Sequence, residues 1–327
     1  MSSIAHPSLP NSSTIDVSVV VPTAGRRPDE LLGAVSSVRR QTDCGQIELI
    51  IVDDSHGLLD RESVIENSGP VPVTFVEPSD GLGQRSSGVT HAQGKWVAFL
   101  DDDDLWEPNK LHQQIGIAKE IERTGAFAVV SSRLVHTFAE SSRTVGGVPA
   151  VLIQRGEDVG SYLFHRRGPS VMRASMFTST LLVSSELARQ VPWRRLPRHQ
   201  DWDWLIRAGA QQNVQFAHHP DLLVTIHVGS PASISAGSNW RASLDWANEM
   251  RRGGLGRTAY ADFLAAQVLR YALVARSPRG VAAVVREMTA TRRIPTLRSL
   301  CVGLGGIVPR KAFQRLMAAS SVIRRGQ

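Results

Sequence analysis

The stretch Trp96-Val97-Ala98-Phe99-Leu100-Asp101-Asp102-Asp103-Asp104 places four carboxylates directly behind an apolar run. The apolar half predicts a buried β-strand. Four adjacent carboxylates at the end of a buried strand repel one another, so they destabilise the fold unless a cation neutralises them. Their hard oxygen atoms suit Mg²⁺ or Mn²⁺, and ligands of open α/β sheets bind at the carboxyl ends of strands. The stretch therefore predicts a divalent-cation site at the mouth of a sheet. A solvated acidic loop is the alternative.

Strand and helix patterns alternate upstream of these aspartates. Apolar runs predict buried strands at 17–21, 47–52 and 71–76, and helical spacing predicts helices at 29–40, 58–67 and within 81–94. This alternation favours right-handed βαβ crossovers and a mainly parallel sheet. We therefore predict an α/β fold whose central sheet is flanked by helices and whose acidic residues collect at strand ends.

The pattern becomes less regular downstream. It predicts a helix at 108–124, a strand at 126–131, irregular chain at 132–180, a short strand at 181–183, a helix at 202–210 and a strand at 222–227. After residue 239 the chain predicts three or four helices, divided by Pro278, Pro295 and Pro309.

Composition is that of an ordinary globular protein, with 327 residues, 42% apolar and 20% charged. The two cysteines, Cys44 and Cys301, form no disulfide framework and have no metal-ligand spacing, which suits a reducing compartment. The first residues are rich in Ser and Pro and lack the features of a signal peptide. Because no apolar run reaches about 18 residues, we expect no transmembrane helix and a cytoplasmic location.

Charge is distributed unevenly along the chain. Residues 251–327 contain 15 Lys and Arg but only two acids, giving +13, while the preceding 250 residues carry 22 against 28, giving −6. A basic region favours anionic partners such as lipid head groups, nucleic acid or acidic carrier molecules. No nucleic-acid recognition motif is present, so we expect no specific nucleic-acid partner.

Four motifs, taken in order, resemble those of one family. They are VSVVVPTAGR at 17–26, IELIIVDDS at 47–55, GLGQRSSGVTHAQGKWVAFLDDDDLWEPNKL at 81–111 and QDWDWLIRAG at 200–209. Together they resemble the family 2 glycosyltransferases of the GT-A fold, over roughly residues 16–230. The resemblance implies a lead at 1–15, a GT-A catalytic domain at 16–235 and a basic helical C-terminal region at 236–327.

The resemblance also implies an activity. It is the metal-dependent transfer of one sugar, with inversion, from a nucleotide-diphosphate sugar to a saccharide, lipid-linked or other glycoconjugate acceptor, in cell-envelope, polysaccharide or glycoconjugate biosynthesis. The Gln-x-x-Arg-Trp element of processive synthases is absent, because Gln190-Val191-Pro192-Trp193-Arg194 has the wrong spacing. The sequence therefore favours transfer of one sugar over polymerisation.

On the donor side, the family binds the nucleoside at the end of the first strand, which corresponds to Pro22 and Thr23. The resemblance assigns Asp54 to the donor base, with Asp53 supporting the loop; a helix cap or turn is the plainer interpretation of either residue. Arg85 lies in a segment like the family's Gly-Leu-Ser-x-x-Arg-Asn-x-Gly and is implied to face the nucleotide.

The four aspartates match the family's Asp-x-Asp element. By that register Asp101 and Asp103 are the paired carboxylates, since alternate residues point the same way. Asp103 is the expected metal ligand, Asp101 or Asp102 the ribose and supporting contact, and Asp104 a structural residue. His227 is a further candidate ligand for the metal or the diphosphate, because a neutral imidazole binds divalent cations.

Asp201 matches the general base in the family's Glu-Asp-x-Asp element, with Gln200 in place of the usual Glu. A base there would take a proton from the acceptor nucleophile, while a simple helix cap is the plainer alternative. Asp203 is expected to brace the following helix. Trp202 and Trp204 are expected to pack in the core or to line the acceptor side.

Two other functions remain open at this point. A nucleotidyltransferase on a related sheet would need a glycine-rich first loop, and here that loop has one glycine, followed by Arg26 and Arg27, which are typical of solvated helix starts. A non-catalytic sugar- or membrane-binding protein is the other. The basic C-terminal helices could lie on an anionic membrane as a peripheral anchor or pack on the catalytic domain.

Overall fold

The computed structural model of the protein describes residues 14–138, 143–165, 174–228 and 239–307. Within these ranges one nine-stranded sheet forms the centre of the molecule. Its strands are β1 (Val17–Thr23), β2 (Ile47–Asp53), β3 (Val73–Val76), β4 (Trp96–Phe99), β5 (Leu105–Trp106), β6 (Phe127–Phe138), β7 (Arg143–Val148), β8 (Leu182–Ser184) and β9 (Val214–Val228).

Helices cover both faces of the sheet. In the first two thirds of the chain they are α1 (Pro28–Arg39), α2 (Arg61–Ser68), α3 (Gln84–Val89), α4 (Lys110–Glu122), α5 (Val159–Phe164), α6 (Ser185–Gln190) and α7 (Gln200–Gly209). In the last third they are α8 (Trp240–Arg252), α9 (Arg257–Phe263), a π-helix (Leu264–Val268), α10 (Leu269–Val274), α11 (Pro278–Ala290) and α12 (Leu297–Leu304). Short 3-10 helices lie at Thr178–Thr180 and Gly305–Ile307.

The strand order is β3-β2-β1-β4-β8-β6-β9-β5, with β7 paired to β6. The first four strands are parallel, so the chain leaves β1, β2 and β4 at the same edge of the sheet. Beyond β4 the pairing is mixed: β8 is antiparallel to β4 and β6, whereas β6 and β9 are parallel. This α/β architecture, with a predominantly parallel sheet, confirms the predicted fold class.

Side chains alternate between the two faces of the central strands, as the two-residue period of a strand requires. Val19 and Val21 of β1 point into one apolar core with α1 and α4, while Val20 points into the other with Phe99 and α7. Because both faces are buried, these strands are mostly apolar on both faces rather than alternating. Packing of these side chains in the core therefore determines the positions of the polar residues at the strand ends.

The largest departures from the sequence prediction lie between 126 and 228. The predicted strand at 126–131 extends to Phe138 and pairs with β7, in a segment predicted to be irregular. The predicted strand at 222–227 is the end of a 15-residue strand beginning at Val214. Long-range pairing of β6 with β9 stabilises both polar segments as strands, which local patterns do not reveal.

The C-terminal helices pack against the sheet rather than standing apart. Trp240, Tyr260 and Phe263 belong to the same apolar core as Val20 and Phe99. Asn239 caps α8 by accepting a hydrogen bond from the Ala242 backbone. In the part of the chain that the structure describes, no helix combines the length and apolar character that crossing a bilayer requires. The predicted lead at 1–15 and Pro309 fall almost entirely outside the described residues.

Candidate active site

The aspartate loop, residues 101–104, follows β4 and lies at the edge of the sheet where β1 and β2 also end. Thr23 Oγ1 donates to Asp102 Oδ2 over 2.7 Å, which ties the end of β1 to the loop. Arg27 donates to Asp102 Oδ1 over 2.6 Å and forms a second ion pair with Asp103. Arg27 is therefore a counter-ion of the aspartates and not the solvated helix-start charge that its position suggests. Pro22 lies beside Thr23 in β1.

The end of β2 adds the pair Asp53 and Asp54. Burial opposes ionisation of Asp53, but hydrogen bonds from Ser55 and Arg61 outweigh it and lower the pKa of Asp53. Asp53 thus stabilises its own loop, through an ion pair of 2.7 Å with Arg61. Asp54 has a different partner: it accepts a 2.6 Å hydrogen bond from Gln84 of α3. The structure brings Asp54 towards the α3 side of the cleft.

Arg85 spans the space between the aspartate loop and α7. Its guanidinium forms an ion pair with Asp101, donates to Gln200 Oε1 over 3.3 Å, and lies 5.2 Å from the ring centre of Trp193. Burial would lower the pKa of Arg85, but the carboxylates of Asp101 and Asp201 outweigh it and raise that pKa. Arg85 is thus a fixed positive charge between two predicted functional carboxylates.

A glycine sets the position of Arg85. Gly88 lies one turn further along α3, and a Cβ atom built there would be 2.4 Å from Cγ1 of Val20 and 3.1 Å from Cγ2 of Val52. Only a residue without a side chain lets α3 rest this closely on the sheet.

Asp201 occupies the first turn of α7, across a cleft from the aspartate loop. Thr178 Oγ1 donates to its Oδ1 over 2.6 Å. Burial raises the pKa of Asp201, against the lowering effect of Arg85 and Thr178. A carboxylate with a raised pKa is suited to accept a proton from a substrate hydroxyl.

Two residues along α7, Asp203 anchors the helix. It accepts hydrogen bonds from Arg194 Nε over 3.1 Å, from Arg207 Nε over 2.9 Å and from Trp246 Nε1 over 3.1 Å. Asp203 is only 1% exposed, so these partners neutralise an otherwise costly buried charge. The predicted bracing role matches this geometry.

A cavity of about 170 Å³ brings these groups together. Its wall includes three of the four aspartates, the candidate base and the candidate imidazole ligand: Asp101, Asp103, Asp104, Asp201 and His227. Residues predicted separately after β4, in α7 and in β9 thus line one cavity. The remaining wall comes from Ile226 and from Phe177, Thr178 and Ser179 before β8.

Thr178 and Ser179 were missed by sequence reasoning. Ser179 donates to Asp104 and accepts from the Asp101 backbone N–H over 3.1 Å, so it anchors the loop at both ends. The signal available in the sequence was the hydroxyl run Thr178-Ser179-Thr180 directly before an apolar strand. Its use depends on β8 lying beside β4, which local patterns do not show.

The residue types at this cavity fit a divalent cation. Burial raises the pKa of Asp103 and, more strongly, that of Asp104, and the charge of Asp101 adds to both shifts. A cation would relieve this repulsion. His227 Nδ1 donates to the Asp103 carbonyl over 2.6 Å, which leaves Nε2 as a possible ligand atom. Within the described residues, however, no three His, Cys, Asp or Glu side chains are grouped as a metal site.

Residues 18–168 match the family described as Glycosyl transferase family 2. With the strand-end motifs and the α/β fold, this match places residues 18–168, just under half of the chain, in glycosyl transferase family 2 and supports a glycosyltransferase. The predicted family and enzyme class are confirmed. The nucleotidyltransferase and non-catalytic alternatives are thereby set aside.

Among its relatives is the amylovoran biosynthesis glycosyltransferase AmsB of Erwinia amylovora, 25% identical over 287 residues, which are 85% of this chain and 92% of that protein. Another is the UDP-Glc:alpha-D-GlcNAc-diphosphoundecaprenol beta-1,3-glucosyltransferase WfgD of Escherichia coli, 33% identical over 31% of this chain and 40% of that protein. The Staphylococcus aureus TarS 1-349 crystal structure in complex with UDP-GlcNAc shares the fold, with a TM-score of 0.58 at 12% identity over 92% of each chain.

Proposed function

We propose that this glycosyltransferase moves one sugar from a nucleotide-diphosphate sugar to an acceptor hydroxyl with inversion, using Asp201 as the general base. The observation that carries the proposal is the shared cavity, with Asp201 on one wall and the aspartate loop on the other. One carboxylate faces the acceptor, and a charged loop faces the donor diphosphate. This separation suits a single displacement at the anomeric carbon.

In the proposed step, the acceptor hydroxyl loses its proton to the carboxylate of Asp201. The acceptor oxygen forms a bond to the anomeric carbon while the bond from that carbon to the diphosphate oxygen breaks. The nucleoside diphosphate leaves with the electron pair of the broken bond. Arg85 lies close enough to Asp101 and Asp201 to stabilise negative charge on either side of the displacement.

The donor would lie along the ends of β1, β2 and β4. Thr23 and Asp54 are available at the first two ends for the nucleoside, and Asp102 lies beside Thr23 for the ribose. Asp53 is committed to Arg61 and supports the loop rather than the ligand. A cation bound through Asp103, with Asp101 or His227 as a second ligand, would supply positive charge to the donor diphosphate.

The names of two relatives support a substrate class for this proposal. AmsB is named for amylovoran biosynthesis, and the name of WfgD gives UDP-glucose as donor and a diphosphoundecaprenol-linked N-acetylglucosamine as acceptor. We therefore propose that this chain acts in cell-envelope polysaccharide assembly, with a uridine nucleotide sugar as donor and a lipid-linked saccharide as acceptor.

Calorimetry tests the donor assignment and the metal together. UDP-glucose, UDP-N-acetylglucosamine and ADP-glucose are titrated into the full chain with Mn²⁺ and, separately, with EDTA. We expect a uridine nucleotide to bind with Mn²⁺, at least about tenfold more weakly with EDTA, and similarly weakly in Asp103→Asn with Mn²⁺. The exposed Asp245→Asn is the control. Equal affinity with and without Mn²⁺ would rule out the metal, and no nucleotide-sugar binding under either condition would rule out the proposed function.

We also propose that the enzyme works at an anionic membrane surface, held there by α12. On α12 the side chains of Leu297 and Leu304 are 75% and 49% exposed and lie on one face, and Ile307 continues that face at 65%. The opposite face packs closely, since a Cβ on Gly303 would be 2.0 Å from the Ala265 carbonyl oxygen.

Basic residues flank this apolar face. Arg292, Arg293 and Arg298 are exposed and form no ion pair within the described part of the chain. An apolar stripe with uncompensated arginines suits the boundary between lipid head groups and acyl chains. A lipid-linked acceptor would then be presented on the same surface.

A further inference from the structure

The 3-10 helix Thr178–Thr180 carries three consecutive hydroxyl side chains between the aspartate loop and α7. We call this segment the hydroxyl turn. Each of its residues is at most 2% exposed. Buried hydroxyl groups are retained in proteins where they form hydrogen bonds, so the partners of these three side chains indicate what the segment does.

The hydroxyl turn is anchored by contacts that involve neither the aspartate loop nor α7. Trp106 Nε1 of β5 donates to the Ser179 carbonyl oxygen over 2.8 Å. Gln114 Nε2 of α4 donates to the Thr180 carbonyl oxygen over 2.7 Å. The hydroxyl groups of Thr180 and Ser131, the latter in β6, are also hydrogen-bonded over 2.7 Å. The sheet and α4 therefore fix the position of the hydroxyl turn.

A buried lysine fixes the orientation of Gln114 in this anchor. Lys110 is fully buried, its Nζ donates to Gln114 Oε1 over 2.7 Å, and it lies 3.9 Å from the ring centre of Trp106. Because Oε1 accepts from this donor, the amide nitrogen of Gln114 is directed to the carbonyl oxygens of Thr180 and Val130. A buried polar network whose groups have partners is rigid. The hydroxyl turn is thus a rigid support.

From this support, two adjacent hydroxyl groups contact opposite walls of the candidate active-site cavity. Ser179 bonds to the aspartate loop, through the carboxylate of Asp104 and the backbone N–H of Asp101. Thr178 Oγ1 donates to Asp201 Oδ1 over 2.6 Å. Neighbouring residues of one short helix therefore set the spacing between the aspartate loop and the candidate base.

The charges around Asp201 leave Thr178 a distinct role. Burial raises the pKa of Asp201, the Arg85 guanidinium and the hydrogen bond from Thr178 lower it, and the charge of Asp101 raises it. Arg85 also forms an ion pair with Asp101, so its charge is shared between two carboxylates. The hydroxyl of Thr178 has one proton, and Asp201 accepts it. Thr178 therefore orients the carboxylate in a way that a shared charge does not.

We propose that Thr178 is a positioning residue for the general base. Its hydroxyl holds the Asp201 carboxylate in the orientation, and at the distance from the aspartate loop, that the displacement requires. A base gains much of its effect from being held in place, so loss of this hydrogen bond lowers the rate without weakening donor binding. The inference rests on the proposed function, because Thr178 acts only through the base of that reaction.

Two variants separate the hydroxyl group from the rest of the side chain. Thr178→Val keeps the shape and loses the donor, whereas Thr178→Ser keeps the donor and loses a methyl group. Carbon NMR of protein labelled at its aspartate carboxyl groups follows the ionisation of Asp201, and Asp201→Asn identifies its signal. Hydrogen bonds stabilise the ionised carboxylate, so we expect Asp201 to titrate at higher pH in Thr178→Val than in wild type. In Thr178→Ser it should titrate as in wild type.

Rates and donor affinities of the same samples report the consequence for catalysis. With a synthetic diphospholipid-linked N-acetylglucosamine as acceptor, we expect Thr178→Val to lower kcat by about tenfold or more and Thr178→Ser to stay near wild type. The dissociation constant of UDP-glucose with Mn²⁺ should be the same in all three proteins. Thr74→Val, at an exposed position of β3, is the control and should match wild type in titration, rate and affinity.

Two outcomes would overturn the role of Thr178. One is an unchanged Asp201 titration in Thr178→Val, which would show that the hydrogen bond does not act on the base. The other is an equal change in Thr178→Val and Thr178→Ser, which would assign the effect to lost packing. Neither result depends on nucleotide binding. Absence of nucleotide-sugar binding by wild type would instead reject the proposed function, while the titration would still decide whether Thr178 acts on Asp201.

Discussion

Asp201 is the single residue on which the proposed chemistry depends most. Its pKa is raised by burial, and it borders the cavity shared with the aspartate loop. We expect Asp201→Asn to lower kcat by about 10²- to 10⁴-fold, the usual contribution of a general base. The donor dissociation constant should stay unchanged, because Asp201 lies on the acceptor side. Release of UDP in the presence of a synthetic diphospholipid-linked N-acetylglucosamine gives kcat, and calorimetry gives the dissociation constant.

The pH profile provides the check on this assignment. Only the ionised carboxylate accepts a proton, so wild-type kcat should fall as pH drops through the raised pKa of Asp201, above the ordinary aspartate range of about 4. The residual activity of Asp201→Asn should lack this acidic limb. The exposed Asp245→Asn should keep both the rate and the limb. An acidic limb that persists unchanged in Asp201→Asn would assign the base to another group.

At the scale of secondary-structure elements, α12 carries a prediction of its own. We expect the triple variant Leu297→Gln, Leu304→Gln, Ile307→Gln to bind phosphatidylglycerol vesicles about tenfold or more weakly than wild type, since it loses apolar surface that would enter lipid. Vesicle co-sedimentation measures the effect. The double variant Ile65→Gln, Val151→Gln removes exposed apolar side chains elsewhere and should bind normally.

The lipid composition and salt concentration sharpen this test. Wild type should bind phosphatidylcholine vesicles weakly, and its binding to phosphatidylglycerol should fall as salt is raised, because the arginines around α12 interact with anionic head groups. If the triple variant bound anionic vesicles as wild type does, α12 would not be the membrane contact.

At the scale of the whole molecule, we expect His218 to make the free energy of unfolding depend on pH. His218 lies in β9 between the Ile153 backbone N–H and the Ser175 carbonyl oxygen, both at 3.3 Å from its ring nitrogens. This arrangement suits the neutral ring, and burial lowers the pKa of His218 to about 4. The unfolded chain binds a proton near pH 6.5, while the folded chain does so only near pH 4.

The free energy of unfolding should therefore fall as pH drops from about 6.5 towards 4, by at most about 3 kcal/mol from this group. In His218→Gln this part of the pH dependence should disappear, as measured by urea unfolding at closely spaced pH values. His56→Asn, whose side chain is 90% exposed, should keep the wild-type dependence. The same slope in wild type and His218→Gln would show that other groups cause it.

Much of the fold follows from local patterns. The strands up to β4 are mostly apolar and are followed by polar residues, so their positions and parallel direction could be predicted. The extension of β6 to Phe138 and the start of β9 at Val214 could not, because these polar segments become strands only by pairing with each other. The insertion of β8 between β4 and β6 likewise depends on contacts distant in sequence.

The candidate active site, too, could be predicted only in part from local patterns. Asp101, Asp103 and Asp201 were predicted from motifs at strand and helix ends, and the structure places all three around one cavity. The residues that hold them were not predicted, because Arg27, Thr178 and Ser179 reach the aspartates only across neighbouring elements. Their metal-binding and catalytic roles remain predictions for the experiments above.

The contact of Gly88 with the sheet has a consequence for any effort to change the enzyme's donor. In a saturation library, every replacement at 88 would bring a Cβ within 2.4 Å of Val20 and lift the helix that carries Arg85. Such clones would lose donor specificity and activity together, whichever sugar they were selected for. Diversity is better directed to Gln84, whose side chain contacts Asp54 and does not support the sheet. The narrow fit of one glycine thus sets the practical limit of how far this cleft can be redesigned.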